Sequence, residues 1–227
     1  MSKKRRVPGM RSIVFLLVAT LIAACASTSS RESMEADIDR AAAIIERFEA
    51  IPESAIPPAV MRTARGLAIV TVTKAGFIGS VRGGTGVVVA RTENGWSGPS
   101  AIGTGGLGVG FQAGVEVAEL VIVLNTQEAV NAFAQGGNVT LGGALGVAAG
   151  PVGRTAEAGV AVGAAVYTYS RSQGLFAGVS LEGTVIAARD RVNAAYYGES
   201  VEPRAILAGR MQPPASAQKL LAVLSKY

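Results

Sequence analysis

Histidine is absent from the 227 residues and cysteine occurs once. One cysteine rules out a disulfide within the chain, and without histidine a His/Cys metal site lacks its donors. The same absence removes the usual base of serine hydrolases, and no serine stands in a G-x-S-x-G turn. The chain does not read as an enzyme, and neither metal nor cofactor is expected. Charge is scarce too, at 16% of residues. Five of the 21 basic residues, Lys3, Lys4, Arg5, Arg6 and Arg11, precede residue 25, where no acid stands, so the remaining 16 balance the 16 acids. No Lys/Arg cluster follows this leader, and nucleic acid is not an expected partner.

The basic start runs into an apolar stretch at residues 13–24. It is shorter than the roughly 20 residues that span a bilayer and suits the core of a secretory signal peptide. Leu21-Ile22-Ala23-Ala24 then meets Cys25. Small residues ahead of a lone cysteine resemble the bacterial lipobox. On that reading residues 1–24 are a lipoprotein signal peptide and Cys25 becomes the acylated N-terminus; ordinary cleavage leaving a free thiol is the other reading. An unpaired cysteine in an exported protein favours acylation, and more than one acyl chain is what stable anchoring takes. Ala26, where sorting rules of enteric-type bacteria would place Asp for retention, points to the outer membrane. Residues 25–33 follow as a polar tether.

Residues 66–183 are rich in Gly, Ala and Val and almost free of charge. Short apolar pieces such as 67–73 and 86–90, bounded by turn residues, read as strands. Pro99 and Pro151 fall between such pieces, where a missing N–H does no harm. Glycine within strands costs entropy and is tolerated where a sheet bends, bulges or admits another backbone. The expected fold is α+β: a strongly curved, mainly antiparallel sheet, with closure into a barrel-like shape as one outcome, helices at both ends and one inserted helix.

Ser33 is placed to cap a first helix from Met34, with an apolar stripe of Ile38, Ala41, Ala42, Ile45 and Phe48. Pro57-Pro58 opens a second helix reaching Ala64. Residues 125–128 have a capping-box pattern and lead into the inserted helix, stopped at Gly136. Further strand candidates are 141–149, 159–169 and 175–186, and 190–197 fits helix or strand. Residues 203–207 look like a short helical turn. A last helix, 215–224, turns Ala217, Leu220, Leu221 and Leu224 inward.

Gly103-Thr104-Gly105-Gly106-Leu107-Gly108 matches G-x-G-x-x-G, but residues 109–114 open no helix to face a pyrophosphate. Gly150-Pro151-Val152-Gly153-Arg154 lacks the Lys-Ser/Thr step of a phosphate loop. It reads as a tight turn carrying a cation, with anion binding by Arg154 as the alternative. Glu116 and Glu119 point to opposite faces of a strand, which argues against a shared catalytic pair. Glu182 is isolated among apolar residues, either solvated or hydrogen-bonded, or buried with a raised pKa. Tyr167, Tyr169 and Arg171 share one strand face, and either pack across strands or receive a phosphate headgroup.

Several longer segments occur in order: Ala64-Arg65-Gly66-Leu67-Ala68-Ile69, Gly84-Thr85-Gly86-Val87-Val88-Val89-Ala90-Arg91 and Trp96-Ser97-Gly98-Pro99-Ser100-Ala101-Ile102-Gly103. Residues 150–154, 169–183 and 193–198, the last with Tyr196-Tyr197, complete the series. It resembles the SYLF domain over about residues 36–227, and the domain is placed at 34–227. The resemblance implies lipid binding without catalysis. Eukaryotic SYLF proteins bind phosphoinositides and work with actin-patch and endocytic machinery, and contact lipid mainly through a basic, amphipathic N-terminal segment. This chain departs there, because its first helix carries Asp37, Asp39, Glu46 and Glu49 beside Arg40 and Arg47. The expectation is a lipid-anchored bacterial envelope protein that contacts membrane phospholipid, anionic lipid included, with Arg154, Arg171 and Tyr169 as headgroup contacts. The alternative is a periplasmic structural or protein-interaction module that uses the anchor only for placement.

Overall fold

The continuously apolar runs of the sequence lie where both faces of a sheet are covered. The computed structural model describes residues 30–51, 55–76, 79–109, 114–135, 139–140, 147–149, 164–173 and 185–227. Strand β1 (Gly66–Gly76) pairs with β2 (Gly79–Thr92), which also pairs with the two-residue β3 (Gly95–Trp96) and with β4 (Ser100–Val109). On its other side β1 pairs with β5 (Gly114–Leu124). The shorter strands β6 (Val139–Thr140), β7 (Val147–Ala149), β8 (Val166–Gln173) and β9 (Val185–Ala188) complete the order β6-β9-β4-β2-β1-β5-β8-β7. All pairings are antiparallel except that of β7 with β8.

Among the described residues this order is open, with β6 and β7 at opposite ends, so the barrel-like outcome is not realised there. Helices, rather than the sheet curling back on itself, cover its faces. They are α1 (Ser30–Ala50), α2 (Pro58–Thr63), α3 (Gln127–Ala134), α4 (Asp190–Tyr197), α5 (Pro203–Leu207) and α6 (Gln218–Leu224), the last entered through a 3₁₀ turn at Ala215–Ala217. On one face Leu67, Ile69, Val87, Val89, Val121 and Val123 meet α1, α4 and α6. On the other, Ala68, Val70, Val88 and Ile122 meet Val130 and Phe133 of α3 and Leu207 of α5.

Local chemistry accounts for most boundaries. The stripe from Ile38 to Phe48 is buried as expected, together with Met34 and Ile44. Helix α1 already includes Ser30, so Ser33 is not its cap; its Oγ accepts from Arg189 Nη2 at 3.1 Å instead. The inserted helix is capped by Thr126, whose side chain accepts from the Ala129 N–H, while Asn125 donates to the Ala164 carbonyl at 2.9 Å. The cap therefore stands one residue later than the capping-box pattern places it. Residues 190–197 are helix, ended by Gly198 in the left-handed region at φ 81°, where glycine carries no Cβ penalty. In the last helix Ala217, Leu220 and Leu224 are buried as expected, while Val223 takes the inward place expected of Leu221, which is only half-buried.

Two glycines let β1 and β2 approach. A Cβ at Gly86 would lie 2.0 Å from the Ile69 carbonyl oxygen, and one at Gly84 would lie 2.3 Å from that of Thr71. Both are backbone atoms, which have nowhere to go. Helix α1 is fixed over this region by Asp37, whose side chain is fully buried. Its carboxylate accepts from Thr85 Oγ1 at 2.7 Å, from Arg189 Nη1 at 2.9 Å, and from Arg40.

Urea unfolding tests both features. Gly86→Ala is expected to lose about 3 kcal/mol through overpacking, whereas Gly105→Ala, whose Cβ would meet nothing within 4 Å, should stay within about 0.5 kcal/mol of the parent. Asp37→Ala, which strands Arg189 at the sheet, is expected to cost about 3 kcal/mol; a loss below about 1 kcal/mol would mean the network does not hold α1.

Candidate functional site

One row of residues across the sheet marks where helical cover ends. Thr85, Thr71, Glu119 and Arg171 stand opposite one another on β2, β1, β5 and β8. At one end of this row Asp37 holds Thr85. Further along, Arg47 donates to both oxygens of Glu119, at 3.0 Å and 2.5 Å. The ten helical steps from Asp37 to Arg47 cover about 15 Å, against about 10 Å for the two strand spacings between β2 and β5. Helix α1 therefore crosses the strands obliquely, and these two polar ties form its border.

Beyond the border no described helix covers the same sheet face. The next row holds Gly105, Gly83, Thr73 and Val117, and the row after it Val81, Ala75 and Val115. Val81 and Val115 are each 63% exposed and Val117 is 39% exposed, and no other large apolar side chain among the described residues is comparably exposed. The reverse face of this end carries the charge. Glu116, flanking Lys74 in register with Arg82 beyond, is only 2% exposed, and its Oε1 has no hydrogen-bond partner. Alternation in 114–117 is thus inverted relative to the usual rule: the valines face outward and the glutamate inward. An apolar face kept in solvent while a carboxylate is buried behind it suits a surface that meets something apolar.

The residues singled out from sequence fall in different places. Tyr169 is buried in the helix-covered core, and its hydroxyl has no hydrogen-bond partner. Burial first, then neighbouring Tyr167, pushes its phenol well above the ordinary range. Arg171 is half-buried in the border row opposite Glu119, two residues nearer the open end. Cys25, Arg154 and Glu182 lie outside the described residues. Glu116 and Glu119 occupy opposite faces, as their spacing requires. The G-x-G-x-x-G match lies inside β4, so it opens no helix. Val81, Val115 and Val117 were missed by sequence reasoning; the valine-glutamate alternation was the available signal, and it carries no sign for inside and outside.

Two of the long motif segments prove to be a buttress. Ser97 Oγ accepts from the Ala90 N–H at 3.0 Å and donates to the Gly98 carbonyl at 2.9 Å. Asn193 accepts from the Ala101 N–H at 2.7 Å and donates to Ser100 Oγ at 3.1 Å. Tyr197 donates to the Pro99 carbonyl at 2.9 Å, and its hydroxyl leaves no room for a Cβ at Gly98. Tyr196 meets Tyr197 edge-to-face with ring centroids 5.1 Å apart. Burial raises both phenols above their ordinary value. A raised pKa in the folded state means their contribution is complete below about pH 10 and is lost as pH climbs beyond it. Melting temperature is therefore expected to hold from pH 8 to 9.5 and then fall; a flat profile to pH 11.5 would contradict this.

The sequence model of the family described as "Ysc84: Las17-binding protein actin regulator" matches residues 105–227. The human SH3 domain-containing YSC84-like protein 1 is 48% identical over 203 residues, covering 86% of this chain and 59% of that protein. Its Xenopus laevis counterpart is 47% identical over 204 residues, covering 86% and 61%. LAS seventeen-binding protein 3 of Saccharomyces cerevisiae is 48% identical over 177 residues, covering 76% and 39%. The chain thus spans about three-fifths of the length of the SH3 domain-containing relatives it matches. With that identity sustained over most of its length, the chain belongs to the Ysc84 family, whose shared unit is the SYLF domain.

Proposed function

We propose that this is a non-catalytic envelope protein whose SYLF domain, residues 34–227, touches membrane phospholipid with the open end of its sheet. In this reading residues 1–24 are removed, Cys25 carries the acyl anchor, residues 25–33 are the tether, and Ala26 sends the protein to the outer membrane. The observation that carries the lipid reading is the trio Val81, Val115 and Val117, exposed on one sheet face on β2 and β5, the two strands that flank β1. Full burial of a valine is worth roughly 1.5–3 kcal/mol, so this partly exposed trio supplies about 3–5 kcal/mol in all. That orients a protein on a bilayer and holds it there only weakly, enough to register in co-sedimentation at high lipid concentration. Residence comes from the acyl chains, in keeping with the two-signal logic of stable anchoring. Arg171, at the border of the open face, and Arg154 serve as headgroup contacts, since a guanidinium fork matches phosphate. Tyr169 lies buried in the core.

A second reading is favoured by the family's description as Las17-binding and by the name of the yeast relative: the same valine face docks a protein, and the anchor only places it. Co-sedimentation separates the two. The chain from Ala26 onward is expected to pellet with phosphatidylglycerol vesicles, and Val81→Asp with Val115→Asp to weaken this about tenfold or more. Equal pelleting of both proteins would remove lipid contact from this face. No pelleting of either, with an in-cell crosslink lost in the double variant, would favour the protein-docking reading. Labelled palmitate should enter the full chain and not its Cys25→Ser variant.

A further inference from the structure

At the opposite end of β1 two arginines meet without an acid between them. Extending the β1–β2 register by one residue sets Arg65 opposite Arg91, and the Arg91 N–H donates to the Arg65 carbonyl at 2.7 Å. Like charges directly opposed on a sheet repel, by roughly 0.2–1 kcal/mol. Among the described residues neither guanidinium forms an ion pair with an Asp or Glu side chain. Arg91 lies over the Trp96 ring, 4.0 Å from its centroid. Its Nη2 reaches main-chain oxygens of Met61 at 3.3 Å and Tyr227 at 3.5 Å, the longer contact at the edge of hydrogen-bonding range. Burial lowers the Arg91 pKa.

Both arginines line a cleft of about 630 Å³, walled by Trp96, Ser97, Met211 and Pro213. Small-molecule sites run from about 300 to 1,000 Å³. Gln127, the first residue of α3, also lines it, so the positive end of that helix adds to the potential. The acid in the lining is Glu93, exposed in the turn that follows β2. We propose that this cleft binds a soluble organic oxyanion, a phosphate or carboxylate held between Arg65 and Arg91 with its apolar part against Trp96, Met211 and Pro213. The site is separate from the valine face. Ten residue steps of strand, about 30 Å, separate Arg65 from Ala75, so a headgroup in a bilayer met by the valines does not reach it. The inference therefore stands whether or not that face touches lipid.

Trp96 is the only tryptophan in the chain, so its fluorescence reports on this site alone. Titration of the protein with phenyl phosphate, at ionic strength held constant with sodium chloride, is expected to give a saturable change. Arg65→Gln, an exposed position whose circular dichroism and melting should match the parent, is expected to weaken binding about tenfold. Glu93→Gln should tighten it severalfold. Arg91→Lys keeps the charge, loses the fork and should also weaken binding; if it fails to fold, Arg65→Gln carries the test. A response that never saturates, or unchanged affinity in Arg65→Gln, would overturn the proposal. So would a response to phosphatidylglycerol vesicles with none to phenyl phosphate, which would assign the arginines to a membrane surface.

Discussion

A carboxylate cut off from water must find donors, and the one on Asp37 finds them on three separate parts of the fold. Thr85 belongs to the sheet, Arg189 to the link between β9 and α4, and Arg40 to the same helix as Asp37. Removing such a charge from its partners costs far more than a surface pair is worth. The network therefore acts as a peg that sets where α1 crosses the strands. Everything on that side of the sheet depends on its position: the core beneath the helix, the Arg47–Glu119 tie at its far end, and the line beyond which the sheet is uncovered.

The sheet beneath is built for close approach. Gly84 and Gly86 let the β1 backbone lie where a side chain from β2 would otherwise stand, and both point to the face that also carries Val88. The strand register brings Lys74, Arg82 and Glu116 together on that face. It leaves the valines of the same strands on the other. The two ends of β1 thus acquire different characters, one apolar and open, the other basic and recessed beside Trp96.

Much of this was legible in the order of residue types. The apolar stripe of α1 and the prolines that open α2 and α5 each act through local chemistry, which a sequence displays directly. The long family segments were visible too, but not their purpose. Those around Trp96 and Tyr196-Tyr197 dock one link onto one helix through Asn193 and Tyr197, while Ser97 ties that link to β2. Residues that hold a fold together and residues that meet a ligand look alike in a single chain. The cap of α3 shows the same limit on a smaller scale, since Asn125 and Thr126 are both good caps and only the surroundings assign Asn125 to Ala164.

Taken alone, the sequence determined the class of fold, the central place of the glycine-rich strands, the opposition of Glu116 and Glu119, and the lack of histidine- or disulfide-based chemistry. These depend on composition and on periods of two or 3.6 residues, both local properties. Tertiary structure decided which face of β5 is inside, that Tyr169 is core while Val115 is surface, and that Arg65 and Arg91 share a cleft. A two-residue alternation is the same whichever face is covered. The sign is set by where α1 stops, and that is fixed by contacts between residues 48 and 152 positions apart.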